Sequence, residues 1–179
     1  MTDPAPPDAA APPGPDSLSQ GESSTHLVVY VDGASSGNPG PCGCAAVVKT
    51  AGGETVLEKA RAFGPATSNV AEYQGLLLGL EVAATLHPRR LTIRSDSELL
   101  VRQVAGQYKV RSPHLKPLWQ RARKLLGPFE TVDIERIPRH QNAEADALAR
   151  KALEKARQVD AKLPPEARKQ PKQRTFRLK

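Results

Sequence analysis

The sequence predicts an α/β fold in which a mixed five-stranded sheet carries helices on both faces. Three observations lead there. Segments with strand-like and helix-like periodicity follow one another in the order β-β-β-α-β-α-α-β-α. The first three strand segments are joined by short, turn-rich links of the kind that hairpins use. The last two are reached through helical segments, which is how strands are brought into parallel pairing.

Each element has its own local reason. The apolar run LVVYV (27–31) reads as a buried strand, ended by Asp32-Gly33. After the turn-rich ASSGNPGP, the segments CGCAAVVK (42–49) and ETVLEKARAF (54–63) read as two more strands, with Ala51-Gly52-Gly53 as their hairpin. NVAEYQGLLLGLEVAATL (69–86) has Val70, Tyr73, Leu76, Leu77, Leu80 and Ala84 at helical spacing and stops near Pro88. LTIRS (91–95) is a fourth strand and SELLVRQVAG (97–106) a short helix. A further helix after Pro113 covers HLKPLWQRARKLL and ends at Gly127-Pro128. FETVDIERI (129–137) alternates like a half-exposed strand. NAEADALARKALEKARQ (142–158) is amphipathic, with Asn142 placed as an N-cap.

Composition bounds the rest. With three Phe, three Tyr and one Trp in 179 residues, the core must be aliphatic. The prolines gather at the two ends, so residues 1–25 read as a disordered leader, 26–158 as the folded domain and 159–179 as a basic disordered tail. No apolar run approaches the roughly 18 residues that span a bilayer, and MTDPAPPDAAAPPGPD lacks the pattern of a signal peptide. Cys42 and Cys44 lie two apart on a strand, too far for a disulfide, and read as packing residues. A reducing cytoplasm is the expected location, with no membrane partner. The net charge of +7 is concentrated beyond Lys151, which favours a polyanionic partner.

Four acids stand where loops open at the end of such a sheet. Asp32 follows LVVYV and Asp96 follows LTIRS. Glu72 is expected in the first turn of its helix and Asp146 in the first turns of the last one. Each has an ordinary explanation: a turn for Asp32, an N-cap for Asp96, a favourable helix dipole for Glu72 and Asp146. Four at once at one sheet mouth do not. Clustered carboxylates raise one another's pKa unless a cation neutralises them. Oxygen donors of this kind suit Mg²⁺ or Mn²⁺ and not zinc, for which neither the cysteines nor the four histidines offer a set. Two such ions about 4 Å apart clamp a phosphodiester.

These residues also lie in four segments that resemble the signatures of ribonuclease H type I. In chain order they are VDGASSGNPGPCGCAAVV, TSNVAEYQGLLLGL, IRSDSELLVRQVAGQYKV and IPRHQNAEADALAR, and the similarity extends from about His26 to Leu153. The resemblance implies the ribonuclease H-like fold and an endonuclease acting on the RNA strand of an RNA–DNA hybrid. It implies two Mg²⁺ ions (Mn²⁺ substituting), held by the catalytic acids Asp32, Glu72, Asp96 and Asp146, and products with 5′-phosphate and 3′-hydroxyl ends. It further implies a substrate set: Gly33, Ser35 and Gly37 facing the RNA, Asn38 and Asn69 in the minor groove, and Thr67 on a DNA phosphate. Glu72 would also accept a hydrogen bond from the 2′-hydroxyl that distinguishes RNA from DNA. A monomer is expected.

The resemblance weakens in two places. The stretch GQYKVRSPHLKPL (106–118) is too short for the basic protrusion of many relatives, leaving Lys109, Arg111 and Lys116 as substitutes or as solvated surface. The loop PRHQNAEAD is also short. His140 therefore stays open between a catalytic histidine and a surface one, with Arg139 or Glu144 as alternatives. Trp119 reads as core. Competing functions are a duplex-RNA or branched-DNA nuclease on the same fold and a non-catalytic hybrid binder, which would have no use for four phosphate-repelling acids.

Overall fold

The computed structural model describes residues 26–164. The expected leader (1–25) and most of the basic tail lie outside the described residues. Five strands, β1 His26–Ser35, β2 Gly40–Thr50, β3 Thr55–Ala66, β4 Arg90–Ser95 and β5 Thr131–Arg136, form one sheet in the order β3-β2-β1-β4-β5. The β1–β2 and β2–β3 pairs are antiparallel, and the β1–β4 and β4–β5 pairs are parallel. The helices are α1 Ser68–Thr85, α2 Glu98–Val104, α3 Lys116–Leu126 and α4 Ala143–Lys162. The predicted element order and the five-stranded mixed sheet are both present.

Helix α1 lies against β1 and β2 and is backed by α3, so it is buried on more than one side. Its core residues Tyr73, Leu76, Leu77 and Leu80 join Val29, Val31, Leu91 and Ile93 in an aliphatic cluster, as the scarcity of aromatics requires. Helix α4 packs against β1, β2 and β3, with Ala145, Ala149, Ala152 and Ala156 buried. Small residues make that close seating possible. A Cβ on Gly43 of β2 would collide with the α4 backbone at Ala149 and Leu153.

Several boundaries differ from the sequence reading for physical reasons. Strand β1 does not end at Asp32-Gly33. Asp32 pairs with Ala45, Gly33 with Cys44 and Ser35 with Cys42, because β2 is long enough to carry the ladder past the apolar run. Helix α4 extends to Lys162, so residues 159–162, expected in the tail, are helical. Nothing breaks it before Pro164, which forces Leu163 into an extended conformation (φ −73°, ψ 142°). Glu72 is the fifth residue of α1 and stands in the second turn, out of reach of the dipole explanation. Asp96 is not an N-cap. Ser97 takes that role in α2, its hydroxyl accepting from the Leu100 N–H.

Cys42 and Cys44 are free and fully buried. Burial pushes the Cys44 thiol up to about 12, in keeping with an inert packing role. Trp119 packs against the core, and its indole N–H donates to the Gln103 carbonyl. Only residues 105–115 separate α2 from α3, so the basic protrusion is absent; Lys109, Arg111 and Lys116 are exposed there. Among the described residues, no helix is long and apolar enough to cross a membrane.

Candidate active site

The parallel register between β1 and β4 sets the site. It pairs Tyr30 with Arg94, and carries Asp32 and Asp96, two residues further along each chain, to adjacent positions on the same side of the sheet. Val29, Val31 and Gly33 alternate onto the α1 side, where a Cβ on Gly79 would meet the Val29 and Val31 side chains. Gly33 is required by packing. A Cβ there would overlap the Ala71 carbonyl carbon and the Glu72 nitrogen, and a Cβ on Gly75 would reach within 2.5 Å of the Asp32 carbonyl oxygen. This near-contact of backbones brings Glu72 alongside Asp32.

Asp32, Glu72, Asp96 and Asp146 all line one polar cleft of about 480 Å³, together with Gly33, Ala34, Ser35, Arg139, Arg150 and Arg157. Four different elements supply the acids. Asp32 is 5% exposed. Burial, followed by repulsion from Asp96 and Asp146, pushes its carboxyl up to about 7. Burial and then repulsion from Asp32 and Asp96 push Glu72 up to about 9, despite the opposing effects of Arg139 and a Gly33 backbone hydrogen bond. The Glu72 Oε2 atom is buried without a hydrogen-bond partner. Asp146 is held by two arginines, Arg139 Nη2 at 2.8 Å and Arg150 Nε at 3.0 Å.

This donor set fits a hard divalent cation. The cleft offers carboxylates and neither imidazole nor thiol, one carboxylate oxygen lacks any partner, and two carboxyls are driven toward protonation by burial and then by their acidic neighbours. Among the described residues, no three acid, histidine or cysteine side chains form a group that could hold a metal ion by themselves, so a cation in this cleft would need water or substrate oxygens as further ligands.

The same shifts predict a pH-dependent stability. Both carboxyls bind protons in the folded state at pH values where the unfolded chain, at 3.8 and 4.5, has released them. The contribution of these two groups to the stability of the metal-free protein is therefore full below about 4 and declines as pH rises toward 7 for Asp32 and 9 for Glu72. Melting curves in EDTA and in Mg²⁺ should diverge as the pH is raised, with Mg²⁺ stabilising more at pH 9 than at pH 5. Equal Mg²⁺ shifts at both pH values would contradict the coupling.

The remaining predicted residues fall into two groups. Gly33 and Ser35 line the cleft, and Gly37 adopts φ 128° in the neighbouring loop beside exposed Asn38, which forms a cis peptide bond to Pro39. The Ser35 hydroxyl donates to the Gly37 and Ala66 carbonyls. Thr67 caps α1, its hydroxyl oxygen accepting from the Val70 N–H at 3.3 Å; Asn69 is exposed in the first turn. His140 and Glu144 stand apart. His140 is exposed on the 3₁₀ turn Arg139–Asn142 and does not line the cleft, while Glu144 turns away to Lys49 Nζ at 2.7 Å. His140→Ala is accordingly expected to keep turnover within about twofold, and a loss of tenfold or more in steady-state rates would restore a catalytic role.

Sequence reasoning passed over Arg150 and Arg157, although they recur on the α4 face of Asp146 at positions i+4 and i+11. Asn142 occupies the N-cap position of α4 as expected, but its side chain makes no capping hydrogen bond.

The chain is matched over residues 30–152 by a protein family described as Reverse transcriptase-like. It is 44% identical over 136 residues to the bifunctional protein Rv2228c of Mycobacterium tuberculosis, an alignment covering 75% of this chain and 37% of that one. The chain thus spans little more than a third of that relative's length. The solved N-terminal RNase H domain of the same protein, fused to maltose binding protein, superimposes with a TM-score of 0.74 at 41% identity, covering 75% and 98% of the two chains. Ribonuclease HI of Halobacterium salinarum is 41% identical over 127 residues, covering 71% of this chain and 64% of that one. A crystal structure of LC11-RNase H1 in complex with an RNA/DNA hybrid matches with a TM-score of 0.69 at 36% identity, covering 73% and 98%.

Proposed function

A chain matched in this way belongs to the ribonuclease H family, and from that premise we propose that it is an endonuclease hydrolysing the RNA strand of RNA–DNA hybrids with two divalent ions. The observation that carries this reading is the convergence of Asp32, Glu72, Asp96 and Asp146 on one cleft beside the loop containing Gly37 and Asn38. A relative held on an RNA/DNA hybrid supports the substrate class.

The four acids would hold the ions, Mg²⁺ or Mn²⁺, which when bound supply the charge that activates water and stabilises the departing oxygen of a phosphodiester. The rest falls to the chain itself. Gly33, Ser35 and Gly37 let the main chain approach the RNA closely, and Glu72 accepts from the 2′-hydroxyl. Asn38 and Asn69, both exposed, enter the minor groove. Thr67, whose hydroxyl oxygen serves the α1 cap, retains its proton to donate to a DNA phosphate. Products carry 5′-phosphate and 3′-hydroxyl ends. The cleft is built from residues of one chain, so a monomer suffices. Two free, buried cysteines suit a reducing cytoplasm.

The decisive experiment compares cleavage of strand-matched hybrid, duplex RNA and duplex DNA, with and without Mg²⁺. Hybrid cleavage confined to the RNA strand and dependent on the ion is expected. Cleavage of duplex DNA, or hybrid cleavage undiminished by EDTA, would refute the reading; comparable cleavage of duplex RNA would broaden the substrate class.

A further inference from the structure

Asn142 is 1% exposed, one of the few polar side chains buried in the domain. It sits at the end of the 3₁₀ turn Arg139–Asn142, immediately before α4. A residue used as an N-cap would turn its oxygen toward a free helix N–H. Here the opposite holds. The side-chain oxygen Oδ1 is buried with no hydrogen-bond partner, and both polar contacts run through Nδ2, which donates to the Val31 carbonyl at 3.0 Å and to Asp96 Oδ1 at 2.8 Å. Both partners are acceptors, so only the NH₂ end of the amide can face them.

The two contacts link the acids to one another. Val31 precedes Asp32 on β1, Asp96 directly follows β4, and Asp146 lies one helical turn beyond Asn142, on α4. A single amide therefore ties together the backbone beside one acid, the carboxylate of a second and the helix start that carries a third. Leaving an amide oxygen buried and unpaired is costly, so the donor function must outweigh it. A donor fixed on one Asp96 oxygen also sets the rotamer of that carboxylate, which lines the cleft.

We propose that Asn142 is a positioning residue for the metal site: it locks the Asp96 carboxylate and indexes α4 against β1, so that the acids are preorganised for a divalent cation before any nucleic acid arrives. The proposal rests on the metal-dependent hydrolase reading, and its test is separable from hybrid cleavage. Mg²⁺ alone is titrated into the full-length wild-type protein and Asn142→Ala by calorimetry, followed by the Mg²⁺ dependence of hybrid cleavage. The expected result is a roughly tenfold weaker Mg²⁺ affinity and a matching rise in the Mg²⁺ concentration needed for half-maximal turnover. KM for hybrid at saturating Mg²⁺ should stay within twofold, and excess Mg²⁺ should recover most of the lost turnover, whereas it should not rescue Asp96→Asn.

A folded Asn142→Ala with wild-type Mg²⁺ affinity would overturn the proposal. Should that variant fail to fold, the wild type still decides. Its Asn142 side-chain amide should give an NMR signal protected from solvent exchange that moves on Mg²⁺ addition, and an exchanging or unmoved signal would overturn the proposal. Mg²⁺ binding without hybrid cleavage would sink only the functional reading. Absence of Mg²⁺ binding by the wild type would sink both.

Discussion

Asp32→Asn is expected to lower hybrid cleavage at least a hundredfold while making the metal-free protein more stable. The two effects share one cause. Asp32 is buried and its carboxyl is pushed up to about 7 by that burial and by the charges of Asp96 and Asp146. An amide of the same shape is neutral at every working pH, so it removes repulsion that the folded state otherwise carries. Near pH 8 that relief amounts to about 1–3 kcal/mol, since each pKa unit corresponds to about 1.4 kcal/mol and part of the shift is relaxed by solvent. The same amide removes one charged oxygen donor from the proposed cation site. A hundredfold loss of turnover corresponds to about 2.7 kcal/mol of transition-state stabilisation, a modest demand for a carboxylate that would help to hold the ions. Hybrid affinity in Ca²⁺ should be retained, because the substrate contacts assigned to Asn38, Thr67 and Asn69 do not involve this carboxylate. Turnover above about a hundredth of wild type would sink the catalytic assignment. A lower melting temperature in EDTA at pH 8 would show that Asp32 is held by partners and not strained by neighbours.

Gly33→Ala is expected to be among the most damaging single-methyl changes in the protein, costing about 3 kcal/mol or more, or roughly 10 °C in melting temperature. The new Cβ would meet main-chain atoms, the Ala71 carbonyl carbon and the Glu72 nitrogen. Backbone atoms in a helix have no alternative rotamer, so α1 as a whole must retreat from β1. Gly75 shows how little room exists, since a Cβ there would press on the Asp32 carbonyl. Retreat of α1 takes Glu72 away from Asp32, and turnover should fall with stability. Gly64→Ala is the matched control, because a Cβ at Gly64 has nothing within 4 Å. It should melt within about 2 °C of wild type. If Gly33→Ala melts as high as Gly64→Ala, the close approach of α1 to β1 is not what fixes Glu72.

Much of this protein is legible in its sequence, and the legible part is local. LVVYV is a strand because a continuous apolar run bounded by polar residues buries best in the middle of a sheet, and LTIRS because Leu91 and Ile93 alternate with Thr92 and Arg94; they occupy β1 and β4. NVAEYQGLLLGL reads as a helix because Val70, Tyr73, Leu76, Leu77 and Leu80 recur every three to four residues. The element order alone implies the mixed sheet, and acids directly after LVVYV and LTIRS announce the cleft end. The four acids, Gly33, Ser35 and the loop of Gly37 and Asn38 could all be named beforehand, and the first six line one cleft.

What the sequence leaves undecided depends on direction in space. Glu144 and Asp146 are two residues apart on α4, so a rotation of about 200° separates them: Asp146 enters the cleft and Glu144 goes to Lys49. Arg139 and His140 are adjacent, yet only Arg139 lines the cleft, since a 3₁₀ turn points neighbouring side chains apart. Asn142 has the composition of a cap, and only the arrival of β1 and β4 beside it converts its amide into a donor to Val31 and Asp96. Gly33 reads as a turn glycine until α1 is seen pressed against it. Periodicity and turn chemistry are properties of neighbours along the chain, so the sequence by itself determines the elements, their order and the residues that end them. Strand register, helix rotation and the distance between packed backbones are set by contacts between residues far apart in the chain, and only the tertiary structure decides which side chains meet.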